Sequence, residues 1–302
     1  MTTIRDAEPG DAEAVARVLA AADDARVLGA AAWLHMTAVA PARGRELRLV
    51  AEAGGEVVAT AGAGLEWSTA DARESFAFVA VLPAARGRGI GSALHERALE
   101  HVRGLGARRA RTKLRESSAG VAFASARGWR ELRAESVVGV DPRDVPEHPG
   151  IAGFRAVSLA SLADRLEDVY ALDLLATEDE PTSVPLDAMS FEEWLAVQWR
   201  NPASDNDGGT AVVEDERLVA LAFLRADLER GRAENGFTAT HPDYRGRGLA
   251  TLAKTRSLLW AAEHGIERVT TGNDETNAPM RAVNHRLGYE PVARRLELEL
   301  PL

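Results

Sequence analysis

The run of apolar and polar positions in "TIRDAEPGDAEAVARVLAAAD" reads first as a short strand, which breaks at a turn at Pro9-Gly10. From Asp11 the spacing becomes helical. Ala14, Val15, Val18 and Leu19 fall on one stripe, and Asp11 is a suitable N-cap. "LRLVAEAGGEVVATAGAGL" reads as two strands about a Gly54-Gly55 turn, a hairpin. "SFAFVAVLP" is mostly apolar, as a strand buried on both faces would be. A glycine-rich loop follows, then a helix predicted over Ile90 to Arg103 and stopped near Gly104 and Gly106. "ARRARTKL" reads as a strand and "SAGVAFASARGW" as a short helix stopped at Gly128, with a last strand beyond it.

The second half repeats this order, and the repeat can be aligned residue by residue. Setting Pro83 on Pro242, an offset of 159 (242 − 83), places Arg86 on Arg245, Gly87 on Gly246, Gly89 on Gly248 and Gly91 on Ala250. The same offset places Gly106 on Gly265 and Arg109 on Arg268; one residue more places Gly128-Trp129 on Gly288-Tyr289. A loop, a helix end and a distal Gly-aromatic pair that agree together imply two copies of one domain. "DPRDVPEHPGIAG", Asp141 to Gly153, is rich in proline, glycine and charge and reads as the linker. The expected domains are residues 1–145 and 150–302, each long enough for its own core. The fold class is α/β (α+β): two tandem domains, each a mixed central sheet flanked by helices.

Composition narrows the chemistry. The 302 residues are 46% hydrophobic and 27% charged, as in an ordinary globular protein. With no cysteine there is no disulfide framework, no thiol nucleophile and no thiolate metal site, and no metal is expected. A net charge of −10 argues against nucleic-acid binding and is compatible with a cationic amine substrate. No segment approaches the ~18 apolar residues of a membrane span, and the first residues carry acids where a signal peptide needs a basic then apolar run. No membrane partner and a cytoplasmic location are expected.

A strand that runs into a glycine-rich loop and a helix makes an anion site: backbone N–H groups converge there and the helix dipole favours negative charge. Neither copy has the G-x-G-x-x-G spacing of a dinucleotide site or the Gly-Lys-Ser/Thr of a Walker loop. The competing reading is that the glycines only make a tight turn. "VLPAARGRGIGSAL" and "THPDYRGRGLATLA" resemble the signature loop of the GCN5-related N-acetyltransferases. "IRDAEPGDAEAVARVL", "LVAEAGGEVVATAG", "FASARGW" and "TGNDETNAPMRAVNHRLGYEP" resemble further family segments in family order, so the resemblance spans nearly the whole chain as two tandem domains.

The resemblance implies acetyl-CoA as co-substrate, its pyrophosphate held by the backbone amides of Arg86, Gly87, Arg88, Gly89, Ile90 and Gly91, and of Arg245, Gly246, Arg247, Gly248, Leu249 and Ala250. It implies attack of an amine on the thioester and a main-chain N–H for the oxyanion near Val81 and Thr240. For the base, Glu234 is the only acid in "AENGFTATHP", on the face of Thr240 if no bulge intervenes. Glu74 stands one register step away in the first copy, and a solvated strand-end acid is the other reading of each. His241 precedes Pro242 at a loop start, a place that favours a solvent-facing side chain. Family members often carry a tyrosine four residues before the Gly-aromatic pair. Here those positions are Ala124 and Asn284, so the expected acid is missing, although Asn284 keeps an amide donor. Asn277 stands where the family's cofactor-contacting asparagine does, and Ser117-Ser118 occupies that place in the first copy. The second domain is therefore the expected catalytic one, with the first binding acetyl-CoA without chemistry or serving as a scaffold; the opposite assignment stays open, since the first loop is the more complete, with Gly91 where the second has Ala250.

The acceptor, a small-molecule or peptide amine, is expected at the helices after each first strand. Glu178, Asp179 and Glu180 form an acidic cluster there. Phe191, Trp194, Leu195 and Gln198 share a helical face, and Trp33, His35 and Trp67 are the first-copy counterparts. A solvated loop and packed aromatics are the plainer readings. Two copies in one chain suit a monomer that is its own pseudo-dimer, or a homodimer. The alternatives to an enzyme are an acyl-CoA-binding regulatory module and a scaffold with degenerate sites.

Overall fold

A computed structural model describes residues 2–69, 71, 73–177, 187 and 189–302. The chain divides into two compact units. The first takes the residues up to Glu135 and the stretch Arg294–Leu302; the second takes residues 136–177 and 189–293.

In the first unit β1 (Thr2–Asp6) leads to α1 (Ala12–Ala22) and α2 (Ala30–Val39), then to β2 (Leu47–Ala53), β3 (Glu56–Leu65) and β4 (Glu74–Val81). After the glycine loop come α3 (Ile90–Gly104), β5 (Arg109–Arg115), α4 (Ser118–Ser125) and the start of β6 (Arg130–Val140). The sheet runs β1-β2-β3-β4-β5-β12, where β12 (Glu290–Pro301) is the last strand of the chain. Among the described residues of this unit only β4 and β5 pair in parallel. Adjacent residues of β2 sort to opposite faces: Leu49 and Ala51 pack with Ile90 and Leu94 of α3, and Val50 packs with Val15 of α1 and Trp33 of α2.

The second unit repeats the plan with β7 (Arg155–Ser158), α5 (Leu166–Thr177), α6 (Phe191–Trp194), β8 (Thr210–Glu214), β9 (Arg217–Asp227) and β10 (Arg232–Thr240). Its loop leads to α7 (Leu249–Glu263), β11 (Arg268–Asp274) and α8 (Ala278–Arg286). The sheet order is β6-β11-β10-β9-β8-β7. One face, with Leu221, Phe223 and Ala239, packs on α5 and α6; the other, with Leu224, Ala233 and Val269, packs on α7 and α8.

The contiguous halves 1–145 and 150–302 thus differ from the compact units by an exchange of final strands. β12 pairs antiparallel with β5, from Arg295↔Arg115 to Pro301↔Arg109. Its alternate residues Leu296, Leu298 and Leu300 are buried with Ala98, Leu99, Val102 and Trp129 of the first unit. Arg295 bonds Asp23 (2.8 Å), Arg133 bonds Glu297 (3.1 Å) and Arg111 reaches Glu299 (3.5 Å), all within that unit. Val140 of β6 is buried instead with Leu258, Ile266, Val269 and Tyr289 of the second unit. The alternating leucines specify a half-buried strand, and nothing local specifies which sheet receives it.

Candidate functional site

Both copies build the same loop. β4 ends in a tight turn at Pro83–Ala85 and β10 in one at Pro242–Tyr244. Gly87 and Gly89 then take φ of 75° and 80°, and Gly246 and Gly248 take 76° and 82°, left-handed values that favour glycine. A Cβ at Gly87, Gly89 or Gly246 would meet nothing within 4 Å, so the loop presents bare backbone. The first intrahelical bonds are Ala93 N–H to Gly89 C=O (3.1 Å) and Leu252 N–H to Gly248 C=O (3.0 Å). The N–H groups of Ile90, Gly91 and Ser92, and of Leu249, Ala250 and Thr251, therefore have no intrahelical acceptor, and no side chain caps either helix. The motif's first arginine braces the loop: Arg86 Nε donates to the Val81 carbonyl (3.0 Å) and Arg245 Nε to the Thr240 carbonyl (3.3 Å). Arg88 is exposed, and Arg247 lies over the Tyr244 ring, 4.8 Å from its centroid. The result is a donor-rich, glycine-walled cup at a helix N-terminus, shaped for a phosphate-bearing group.

Next to each cup the central strands part. Parallel pairing joins Glu74, Ser75 and Phe76 to Arg109, Ala110 and Arg111, and Arg232, Ala233 and Glu234 to Arg268, Val269 and Thr270, and goes no further. Leu82 N–H bonds Val58 and His241 N–H bonds Val219, each at 2.9 Å, so Leu82 and His241 face the antiparallel neighbour. By strand alternation the main-chain groups of Val81, and of Thr238 and Thr240, face the opening instead. Thr238 was not singled out by the sequence; its position became visible only with the strand pairing.

β10 carries a bulge that β4 lacks. The register runs Asn235↔Leu224 then Thr238↔Ala222, so Gly236 and Phe237 crowd into one partner's place, whereas β3 and β4 pair without interruption from Ala59↔Val81 to Leu65↔Ser75. The extra residue reverses side-chain parity, so the expected common face for Glu234 and Thr240 is corrected. Glu234 pairs with Arg225 on the α5/α6 face, and Thr240 pairs with Ala220 on the α7 face. Glu234 is half-buried, with no hydrogen bond or ion pair among the described residues. Glu74 is no solvated strand-end acid. It is 2% exposed and held by Arg109 (2.7 Å) and Arg111 (3.4 Å). His241 accepts the Asp243 N–H at Nδ1 (3.3 Å) and faces Arg217 Nη2 (3.2 Å) across Nε2, a capping role.

Behind the opening of the second unit lies a buried polar cluster. Tyr289 Oη donates to Asn235 Oδ1 (2.5 Å), and Lys254 Nζ stands 5.0 Å from the Tyr289 ring centroid. Burial pushes the Lys254 ammonium down to about 7 and the Tyr289 hydroxyl up. Asn284 Nδ2 donates to Asn273 Oδ1 (2.5 Å), so the amide counted on as a donor is already engaged and its Oδ1 is the group left over. Asn235 Nδ2, Thr238 Oγ1, Thr251 Oγ1 and Asn284 Oδ1 are buried without partners. Orphaned polar atoms on the elements that frame the cup fit a site completed by a ligand. Asn277 Oδ1 caps α8 at Met280 N–H (3.2 Å), and Ser117 caps α4 at Gly120 N–H (3.1 Å). The sequence hint for this cluster was Lys254, a cation inside the apolar stripe of α7.

On the acceptor side Trp194 and Leu195 are buried with Tyr170 and Phe191, and Trp194 Nε1 donates to Asp173 (2.7 Å), so these aromatics pack the unit. Gln198 receives a bond from Arg225 (3.4 Å), the residue opposite Glu234. Trp33 is buried, His35 half-buried, and Arg43 covers Trp67 at 5.7 Å. Glu178, Asp179 and Glu180 lie outside the described residues. Among the described residues no group of three or more His, Asp and Glu is arranged for a metal, and no helix is long and apolar enough to cross a membrane.

Comparisons with known proteins agree with this geometry. Residues 36–128 and 166–289 each match the profile described as the acetyltransferase (GNAT) family. A mycothiol acetyltransferase of Clavibacter michiganensis is 26% identical over 71% of this chain and 69% of its own length. Among solved structures, a tandem GNAT protein from the clavulanic acid biosynthesis pathway superposes with a TM-score of 0.75 at 23% identity, covering 100% of this chain and 98% of that one. A GCN5-related N-acetyltransferase from Sphaerobacter thermophilus gives 0.72 at 20% identity, covering 99% and 95%. With a glycine cup in each unit and a profile match over each half, the chain belongs to the acetyltransferase (GNAT) family and is an N-acetyltransferase of tandem architecture.

Proposed function

We propose that the second unit transfers the acetyl group of acetyl-CoA to a primary amine, and that the first unit carries no chemistry. The reading rests above all on the asymmetry between the two central strands: β10 has the bulge and β4 does not, and Glu234 has no partner among the described residues whereas Glu74 is held by Arg109 and Arg111. The pyrophosphate sits in the cup at Arg245–Ala250, against the free amides of α7. The acetyl end enters where β10 and β11 part. Glu234, on the opposite face from α7, takes a proton from the incoming ammonium, directly or through water. The amine adds to the thioester carbonyl, the oxyanion meets the main-chain N–H of Thr238 or Thr240, and collapse breaks the C–S bond and releases CoA. The similarity to a protein named as a mycothiol acetyltransferase supports beginning the acceptor panel with small molecules.

The test is thiol release from acetyl-CoA with a panel of amines. Turnover that falls about 100-fold or more in Glu234→Gln, and is unchanged in Glu74→Gln, is expected. A protein that binds acetyl-CoA tightly and turns over with no acceptor would leave a regulatory acyl-CoA-binding module, the reading favoured by the missing tyrosines at 124 and 284.

A further inference from the structure

The proposed base has a neighbour that the steps above leave idle. Glu234 and Arg225 stand directly opposite each other in the β9–β10 ladder, on the α5/α6 face. Residues so placed have Cβ atoms about 4.5–5.5 Å apart, and opposite charges there attract. These two do not close into an ion pair. Arg225 Nη2 donates instead to Gln198 Oε1 over 3.4 Å, its Nε has no acceptor, and among the described residues neither charge has an ionic partner. Both residues are half-buried rather than sealed. The same place in the first unit carries no charge. Glu234 is the last residue of β10 to pair with β11; its counterpart Phe76, the last of β4 to pair with β5, stands opposite Gly64.

Gln198 is held in place by its backbone. It lies in a single π turn, Leu195–Trp199, closed by Arg200 N–H on the Leu195 carbonyl (2.8 Å), a rare geometry that is frequent at functional sites. The carbonyls of Val197, Gln198 and Trp199 accept from Asn201 Nδ2 (3.2 Å), Ser204 Oγ (2.6 Å) and Asn206 Nδ2 (3.2 Å). Ser204 in turn bridges to Arg225 through the main chain. The braced turn thus draws Arg225 to Gln198 and leaves Glu234 open. An open cation and an open anion side by side, where β10 and β11 part, complement a zwitterion. We propose that the amine acetylated by the second unit is that of a free amino acid, whose carboxylate is bound by Arg225 and whose ammonium meets Glu234. Glu234 takes one proton from the ammonium and passes it to solvent. The freed nitrogen forms its bond to the acetyl carbon, the C–S bond breaks, and a second nitrogen proton leaves with CoA as the thiol. The product is an N-acetyl amino acid with its carboxylate intact. An acceptor without a carboxylate would leave the guanidinium half-buried and without a counter-ion. The proposal rests on the reading that Glu234 of the second unit serves the chemistry.

Thiol release from acetyl-CoA by the full chain is measured with the common amino acids and, for each, with the amine and the amide that keep its side chain but lack the carboxylate. At least one amino acid is expected to show a kcat/KM about 100-fold or more above its matched amine and amide. Arg225→Met raises KM for that amino acid about 30-fold or more, and leaves its kcat and the slow turnover of the matched amine within about three-fold. Arg225→Lys, which keeps the charge and loses the fork, recovers part of the loss. If Arg225→Met does not fold, the wild-type comparison decides alone. Amines or amides turned over as well as the amino acids, or an equal loss for both classes in Arg225→Met, overturn the proposal alone. A wild-type chain that turns over no acceptor overturns it together with the acetyl-transfer reading.

Discussion

Lys254 and His95 occupy the same turn of α7 and α3, 159 positions apart, and both are buried bases. Burial holds Lys254 down to about 7, while burial, then Arg127 and Arg103, hold His95 down to about 4. A base whose folded value is depressed costs stability wherever the unfolded chain takes up a proton that the folded chain refuses. For Lys254 the cost is absent above its ordinary value, grows as pH falls from 10.5 towards 7, and is constant below. Lys254→Met is therefore expected to stabilise the protein by a few kcal/mol near neutral pH, at ~1.4 kcal/mol for each tenfold weakening of proton binding. The gain is far smaller near pH 10, and denaturant melts across pH read the difference. Glu74→Gln leaves Arg109 and Arg111 without their buried acid. It lowers stability by about 1–3 kcal/mol in the same assay, discounted because Arg109 is half exposed. Glu234 was legible in the sequence as the lone acid of its strand. Its side of the sheet was not, because alternation predicts a face only until a bulge intervenes.

The strand–loop–helix of each copy was legible almost to the residue, because left-handed backbone at two positions selects glycine and little else. Its use follows from the same constraint. Gly248→Ala forces a Cβ into φ of 82°, at a cost of about 1–2 kcal/mol, and turns the α7 amides from their common point. Gly89→Ala carries a similar strain at φ of 80°. Both variants are expected to melt lower by similar amounts, while steady-state thiol release falls in Gly248→Ala only. Equal losses of turnover would assign the chemistry to both units. The bulge was less legible: Gly236 inside a strand was its one local sign, and a glycine there marks a weakness without saying how the partner strand adjusts.

Across the whole molecule, the repeat revealed two copies of one domain and could not reveal where each copy ends. A fold made of two similar sheets offers β6 and β12 two acceptable places, and only long-range packing decides between them. Removing residues 294–302 takes Leu296, Leu298 and Leu300 from the core of the first unit and bares the edge of β5. At about 1.5–3 kcal/mol per buried leucine, the loss rivals the stability of an ordinary domain. The shortened chain is expected to lose hydrogen-exchange protection throughout β3, β4 and β5 and to keep it in β9 and β10.

The strand exchange also sets a timetable for synthesis. A leading domain ordinarily closes while the rest of the chain is still being made, but here β5 waits for a partner encoded 159 residues after Glu135 (294 − 135). At roughly 5–20 residues per second that is a delay of about ten to thirty seconds, during which the first unit offers an open, apolar-backed strand to anything nearby. The charges along that edge, Arg109, Arg111, Lys113 and Arg115, each paired with an acid of the first unit, are the kind of residue that keeps an unfinished sheet from pairing with a neighbour.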